Sequence, residues 1–203
     1  MESAVYTWYA PPMDIPMREV RRYLGYAGHT PSEEDAERIA RSVERVKPVV
    51  EGRACYGFYD VAVTGEAVTL PYGAVRTRSL SRWMEGCTRA VLFAATIGAG
   101  FDRLLRRTLL TSMAEAALLQ ACGAAAVEAV CDRFNDELNA KARDDGFEPV
   151  RRYSPGYGDF ALENQRGFFA VLNPPKHIGL TLMDTLIMSP EKSVTAIIPL
   201  KKR

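Results

Sequence analysis

Apolar residues recur at three- and four-residue spacing from residue 112 to about residue 142, and this is the longest such pattern in the chain. It predicts one long helix, rich in alanine through GAAAVEAVC (123–131). Shorter helical patterns cover 18–25, with Val20 and Leu24 on one face, and 101–110 and 162–172. Another covers 79–85 and is closed by Gly86. Thr30-Pro31-Ser32-Glu33 reads as a helix start: Thr30 accepts from a free amide, Pro31 suits the first turn and Glu33 closes a capping box. That helix should run to about residue 47 and stop at Pro48.

The period changes between residues 53 and 70. Tyr56, Phe58, Val61, Val63 and Val68 form two extended runs around Thr64-Gly65-Glu66, which predicts a hairpin. AVLFAA (90–95) is a continuous apolar run of buried-strand length, and further strands are expected at 180–187 and 194–200. An extended piece leads to Tyr153, and the first dozen residues, aromatic and proline-rich, read as an arm without regular structure. Helices interrupt the strands irregularly. We therefore expect an α+β fold, one domain over residues 1–203, with a mainly antiparallel twisted sheet flanked by helices, including the long alanine-rich one.

Composition narrows the classes. At 203 residues with 47% hydrophobic content the chain can bury a proper core, and 26 basic against 25 acidic side chains give a net charge of +1. No global field draws nucleic acid or an anionic membrane, and Lys201-Lys202-Arg203 is a local solvated tail. Residues 113–131 have membrane-span length but contain Glu115, Gln120 and Glu128, so a buried helix of a soluble protein fits better. Cys55, Cys87, Cys122 and Cys131 form no CxxC pair and lie far from His29 and His177, which argues against zinc. The N-terminal stretch has no signal-peptide core, so we expect a cytoplasmic protein with reduced thiols.

Three stretches carry candidate chemistry. AVLFAATIGAGFD (90–102) imitates a nucleotide-binding strand-loop-helix, but Arg103 stands where a third glycine belongs, so tight packing of a turn competes with phosphate or adenosine contact. Glu128 sits among small apolar residues over nearly the whole helix circumference, and a carboxylate there needs either an arginine such as Arg152 or a cationic ligand. Ser154-Pro155-Gly156-Tyr157-Gly158-Asp159 is either a plain turn or a loop that lets backbone approach a ligand beside arginines able to hold a carboxylate. Pro190-Glu191-Lys192-Ser193-Val194 is a turn into the last strand, a second wall of a groove or simple hairpin support. No Ser/His/Asp or Cys/His arrangement marks a hydrolase.

Together VRRYLGY (20–26), AATIGAGFD (94–102), GAAAVEAVCDRF (123–134), RYSPGYGDFALENQ (152–165) and LMDTLIMSPEKSVTAI (182–197) resemble the activation domain of cobalamin-dependent methionine synthase, in its short stand-alone form. RYSPGYGDF followed by MSPEKSVTAI is the most specific part. The resemblance implies an accessory reactivation protein that binds S-adenosylmethionine and supports reductive remethylation of cob(II)alamin. The cobalamin would be carried by a partner, a methionine synthase core or another corrinoid protein, since no DxHxxG signature occurs. A flavodoxin-like or ferredoxin-like protein would supply the electron. Matching the family's RPAPGY motif implies ligand contacts from Arg152, backbone contacts from Ser154 and Gly156, and ring packing from Tyr157. The family's acidic ligand residue falls on Glu128, whereas its N-terminal aspartate has no match in a shared motif, Asp14 being the one candidate. A tyrosine that larger members contribute after the final shared strand has no counterpart up to Arg203, which implies a more open pocket, a lower affinity or the loss of ligand binding. The alternative is a non-catalytic docking module for a corrinoid protein that does not bind S-adenosylmethionine. The incomplete glycine loop disfavours an independent methyltransferase.

Overall fold

The computed structural model describes residues 4–26 and 28–203. Its first element corrects an expectation: within the N-terminal arm, β1 (Tyr6–Tyr9) is a regular strand, each residue paired antiparallel with one of Arg53–Tyr56. Residues 1–3 of that arm lie outside the described residues. Helix α1 (Met17–Tyr23) buries Val20, and α2 (Glu33–Val46) buries Ile39, Val43 and Val46. The cap of α2 is Ser32 and not Thr30: the Asp35 amide donates to Ser32 Oγ at 3.1 Å, and that hydroxyl donates to the Asp35 carboxylate at 2.9 Å. After Val46 the chain tightens into a short 3₁₀ turn, Lys47–Val49, at Pro48.

The run predicted as one hairpin divides between two sheets. β2 (Arg53–Asp60) joins the main sheet, whereas β3 (Ala62–Thr64), β4 (Ala67–Leu70) and β5 (Gly73–Arg76) make a small antiparallel sheet. Gly65, at φ 60°, makes the β3–β4 turn. Helix α3 (Arg78–Trp83) leads to β6 (Cys87–Thr96), where Ala90–Ala95 are all fully buried. A continuous apolar run is required there because both faces of this central strand are covered.

Helix α4 (Ala99–Leu109) and the long helix α5 (Met113–Asp144) follow, then β7 (Phe147–Pro149), α6 (Gln165–Leu172) and α7 (Pro174–Ile178). The strand expected over 180–187 is instead two short pieces, β8 (Thr181–Leu182) and β9 (Met188–Ser189), because the chain turns between Met183 and Ile187 with Leu186 at φ 66°. β10 (Ser193–Lys202) completes the main sheet, whose order is β1-β2-β6-β10-β7 with every neighbour antiparallel. This is the α+β class with an antiparallel sheet flanked by helices.

One face of the sheet packs on the second half of α5 through Val91, Phe93, Ala196 and Ile198 against Cys131, Phe134 and Leu138. The other face packs on α3, α6 and the small sheet through Leu80, Phe160, Phe168 and Leu172. The first half of α5 packs with α1, α2 and α4, and Gly123 is there because a β-carbon would lie 2.3 Å from the ring of Phe101. By length and composition α5 could cross a membrane, but 56% of its most apolar window is buried, as in a core helix. All four cysteines are free and buried.

Candidate functional site

Glu128, Asp132 and Asn135 stand at i, i+4 and i+7 on α5 and so share one face. Past β7 the chain stays beside β10: the Val150 amide donates to the Pro199 carbonyl at 2.8 Å, and Tyr153 and Ile197 exchange two hydrogen bonds of 2.9 Å. Alternation then sends Tyr153 into the core and its neighbour Arg152 toward α5. Arg152 Nη2 donates to Glu128 Oε2 at 2.6 Å and Nη1 to Asp132 Oδ1 at 2.7 Å. Its neighbours orient the Asn135 amide with oxygen accepting from Nη1 at 2.6 Å and nitrogen donating to the Cys131 carbonyl at 3.2 Å.

Arg152 is 19% exposed and Glu128 39% at the side chain, so the pair sits at the edge of the dry region. Burial alone would lower the Arg152 pKa, but the Asp132 hydrogen bond and the surrounding negative charges outweigh it and hold it above its ordinary value. The same burial pushes the Cys131 thiol up to about 12 and keeps it an inert thiol. Thus the cation Glu128 needs is, without ligand, Arg152.

The loop after Arg152 is built, not slack. Gly156 takes φ 95° and donates its amide to the Phe160 carbonyl at 2.7 Å, while Phe160 itself is fully buried. Gly158 is irreplaceable on spatial grounds: a β-carbon would come within 2.7 Å of Ser79 Oγ and 2.8 Å of Tyr153 Oη. Asp159 closes the loop onto the start of α3, accepting from Thr77 Oγ1 at 2.7 Å, from the Arg78 and Ser79 amides at 2.7 and 2.9 Å, and from Ser79 Oγ. The Ser79 hydroxyl and amide, then Thr77 and Arg78, hold its carboxyl well below the usual carboxylate range.

A depressed folded-state pKa contributes stability above the unfolded value of about 3.9 and loses it as pH falls toward the lower, folded one. We therefore expect Asp159→Asn to melt below the wild type at neutral pH, and the gap to close progressively below about pH 4. Differential scanning calorimetry across that range checks it; a gap independent of pH would show that the charge is immaterial.

These elements enclose an open cleft of about 310 Å³ bordered by Glu128, Arg152, Ser154, Tyr157, Trp83 and Val194. Four of the five predicted site residues thus meet in one place. Gly156 does not line it, and its amide is already engaged. Tyr157 is 67% exposed at the lip. Trp83 and Asp132 had not been singled out from the sequence. Asp14 lies elsewhere, in a separate depression, paired with Lys47 at 2.9 Å.

A larger depression of about 840 Å³ separates residues 9–13 from 47–53, but its charged groups are paired with one another, Arg53 with Glu51 and Lys47 with Glu44. The smaller cleft is the better candidate because four of the five residues expected from the sequence border it. Among the described residues no group of side chains could hold a metal ion.

The glycine loop at 96–102 serves packing. A β-carbon on Gly100 would lie 2.7 Å from the Val49 carbonyl, and the buried Asp102 accepts from the Glu191 amide at 3.0 Å, anchoring the turn before β10. Ser193 Oγ donates to the Pro190 carbonyl at 2.7 Å within the same turn.

No model of a known protein family matches the chain, and no curated protein matches it. Solved structures do match. One, the crystal structure of the MetH reactivation domain bound to AdoHcy, superposes over 98% of this chain and 78% of its own length with a TM-score of 0.71, at 14% sequence identity. The fold is that of the MetH reactivation domain. It is the fold that the resemblance of RYSPGYGDF and MSPEKSVTAI implies, and at such low identity the likeness is one of architecture. Within this reactivation-domain fold, the Glu128–Arg152 cleft lies where the long helix meets the edge of the sheet.

Proposed function

We propose that this chain is an accessory reactivation protein that binds S-adenosylmethionine in the Glu128–Arg152 cleft. Docked on a separate cobalamin-dependent methionine synthase, it supports reductive remethylation. One electron from a flavodoxin-like or ferredoxin-like donor and a methyl cation from S-adenosylmethionine turn cob(II)alamin into methylcobalamin and leave S-adenosylhomocysteine. The observation that carries this reading is the 2.6 Å contact of Glu128 with Arg152 at the open face of a cleft, in a fold whose solved counterpart holds AdoHcy.

A ligand with both a carboxylate and an ammonium group suits such a pair. Its carboxylate replaces Glu128 on Arg152 while its ammonium or sulfonium replaces Arg152 on Glu128, so no charge is left uncompensated. Asp132 and Asn135 hold Nη1 throughout, leaving Nη2 to exchange partners. Ser154 offers backbone beside a small side chain, and Tyr157 offers its ring.

Calorimetric titration with S-adenosylmethionine, alone and with a cobalamin-loaded synthase core, tests the proposal. Heat of binding in either setting supports it, and none in both overturns it. Glu128→Gln is expected to weaken binding by about 1–3 kcal/mol, the cost of leaving a charged partner unmatched. An unchanged dissociation constant would make the acid purely structural.

A second reading, a docking module for a corrinoid protein without S-adenosylmethionine binding, is favoured by one observation: Arg152 already has acceptors in Glu128, Asp132 and Asn135. Full restoration of synthase activity by an Arg152→Ala variant would select it.

A further inference from the structure

One wall of the cleft is unused by the ion pair. Trp83, at the C-terminal end of α3, lines it and remains 38% exposed, yet its ring is fixed. Its Nε1–H donates to the Arg151 carbonyl at 2.6 Å, and its ring centroid lies 5.5 Å from that of Tyr153 at a tilt of 45°. Tyr153 stands in turn 6.3 Å from Tyr157, edge to face at 61°. The three rings form a continuous aromatic surface from α3 to the lip of the turn.

The Arg151 carbonyl that holds the indole belongs to the same rigid peptide unit as the Arg152 amide, so the indole is anchored to the backbone immediately before Arg152. With its only donor engaged, the indole has just a π-face to offer, and that face takes a flat ring or a cation. S-adenosylmethionine carries both. Glu128, a full negative charge in the same cleft, is the stronger partner for a cation, which leaves the base for the indole.

We propose that Trp83 is the base-recognising residue of this site: the purine of an adenosyl ligand stacks on its indole while the amino-acid end reaches Glu128 and Arg152. The inference rests on the S-adenosylmethionine reading above. It makes the cleft selective for a nucleoside-bearing amino acid over methionine itself.

Wild type, Trp83→Ala and Trp83→Phe should be titrated with S-adenosylmethionine, S-adenosylhomocysteine and methionine, with thermal melts to confirm folding. Trp83→Ala is expected to weaken both adenosyl ligands equally, by roughly 5- to 150-fold, the range spanned by stacking one base on an aromatic ring, and Trp83→Phe to recover most of the loss. In a Trp8→Phe background, where Trp83 is the sole tryptophan, S-adenosylhomocysteine should quench its emission.

A loss confined to S-adenosylmethionine would mean that the ring reads the sulfonium, and would overturn the inference. No loss with either ligand, while the wild type binds both, overturns it and leaves the Glu128–Arg152 site standing. Absence of binding to the wild type both alone and with the cobalamin-loaded synthase core removes the functional reading and this inference with it. Should Trp83→Ala fail to fold, Trp83→Phe and the fluorescence decide, and unchanged emission at saturation counts against stacking.

Discussion

Arg152→Ala is expected to abolish measurable S-adenosylmethionine binding and to lower stability at the same time. Truncating one member of a hydrogen-bonded charge pair at a binding site costs about 2–5 kcal/mol, roughly 30- to several-thousand-fold in affinity. The effect exceeds that of Glu128→Gln because Arg152 is the single cation held between Glu128, Asp132 and Asn135. Removing it leaves two carboxylates one helical turn apart without their shared ion-pair partner.

Since Asp132 is largely exposed, the stability loss should be about 1–2 kcal/mol, below the 3–5 typical of a fully buried pair. Arg152→Lys keeps the charge but cannot reach two carboxylates in the fixed fork of a guanidinium, so it should rescue stability better than affinity. Calorimetric titration and urea denaturation separate the two effects. If Arg152→Ala binds S-adenosylmethionine as the wild type does, the site is misassigned.

Phe134→Ala should give the largest stability loss we foresee, about 3–5 kcal/mol, a substantial share of the 5–15 that holds a typical domain folded. Phe134 is 1% exposed, and its ring lies 5.1 Å from Phe93 on β6, 5.2 Å from Tyr56 on β2 and 5.5 Å from Trp8 on β1. It thus fastens α5 to three adjacent strands at once. The cavity left by alanine cannot collapse easily, because the neighbours are strand side chains fixed by their ladders. The same helix carries Glu128, Asp132 and Asn135, so ligand affinity should fall as well, through position and not through contact. Urea denaturation with an unchanged slope and a lower midpoint is the expected result. A loss below about 1 kcal/mol would mean that α5 is not seated on the sheet as described.

How far the chain could be read in advance depended on where each signal resides. β6 was legible because both of its faces are covered, so the sequence shows an unbroken apolar run. α5 was legible because thirty residues of periodicity outweigh any local ambiguity. β1 was not: four residues, three of them aromatic, show no period of their own, and their hydrogen bonds go to a strand distant in the chain. The apolar residues 180–187 misled because a hydrophobic run reports burial and not direction, and the chain reverses within it. At the start of α2, Thr30 and Ser32 were equivalent as letters, and only the amide of Asp35 distinguishes them.

In the cleft the division is sharper. A carboxylate among alanines must find a cation, and an arginine ahead of a proline-glycine turn is free to be that cation; both statements need only residue types and the cost of burying charge. The amino-acid sequence by itself therefore determined the antiparallel α+β architecture and the long helix, and marked Glu128 as an acid in need of a cation, with Arg152 one candidate and a cationic ligand the other; the structure supplied Arg152. Only the tertiary structure decided that Asp132 and Asn135 share that guanidinium, that Asp159 clamps the turn to α3, and that Trp83 lines the cleft. Those three facts depend on the angle at which separate elements meet, and no local pattern of residues encodes it.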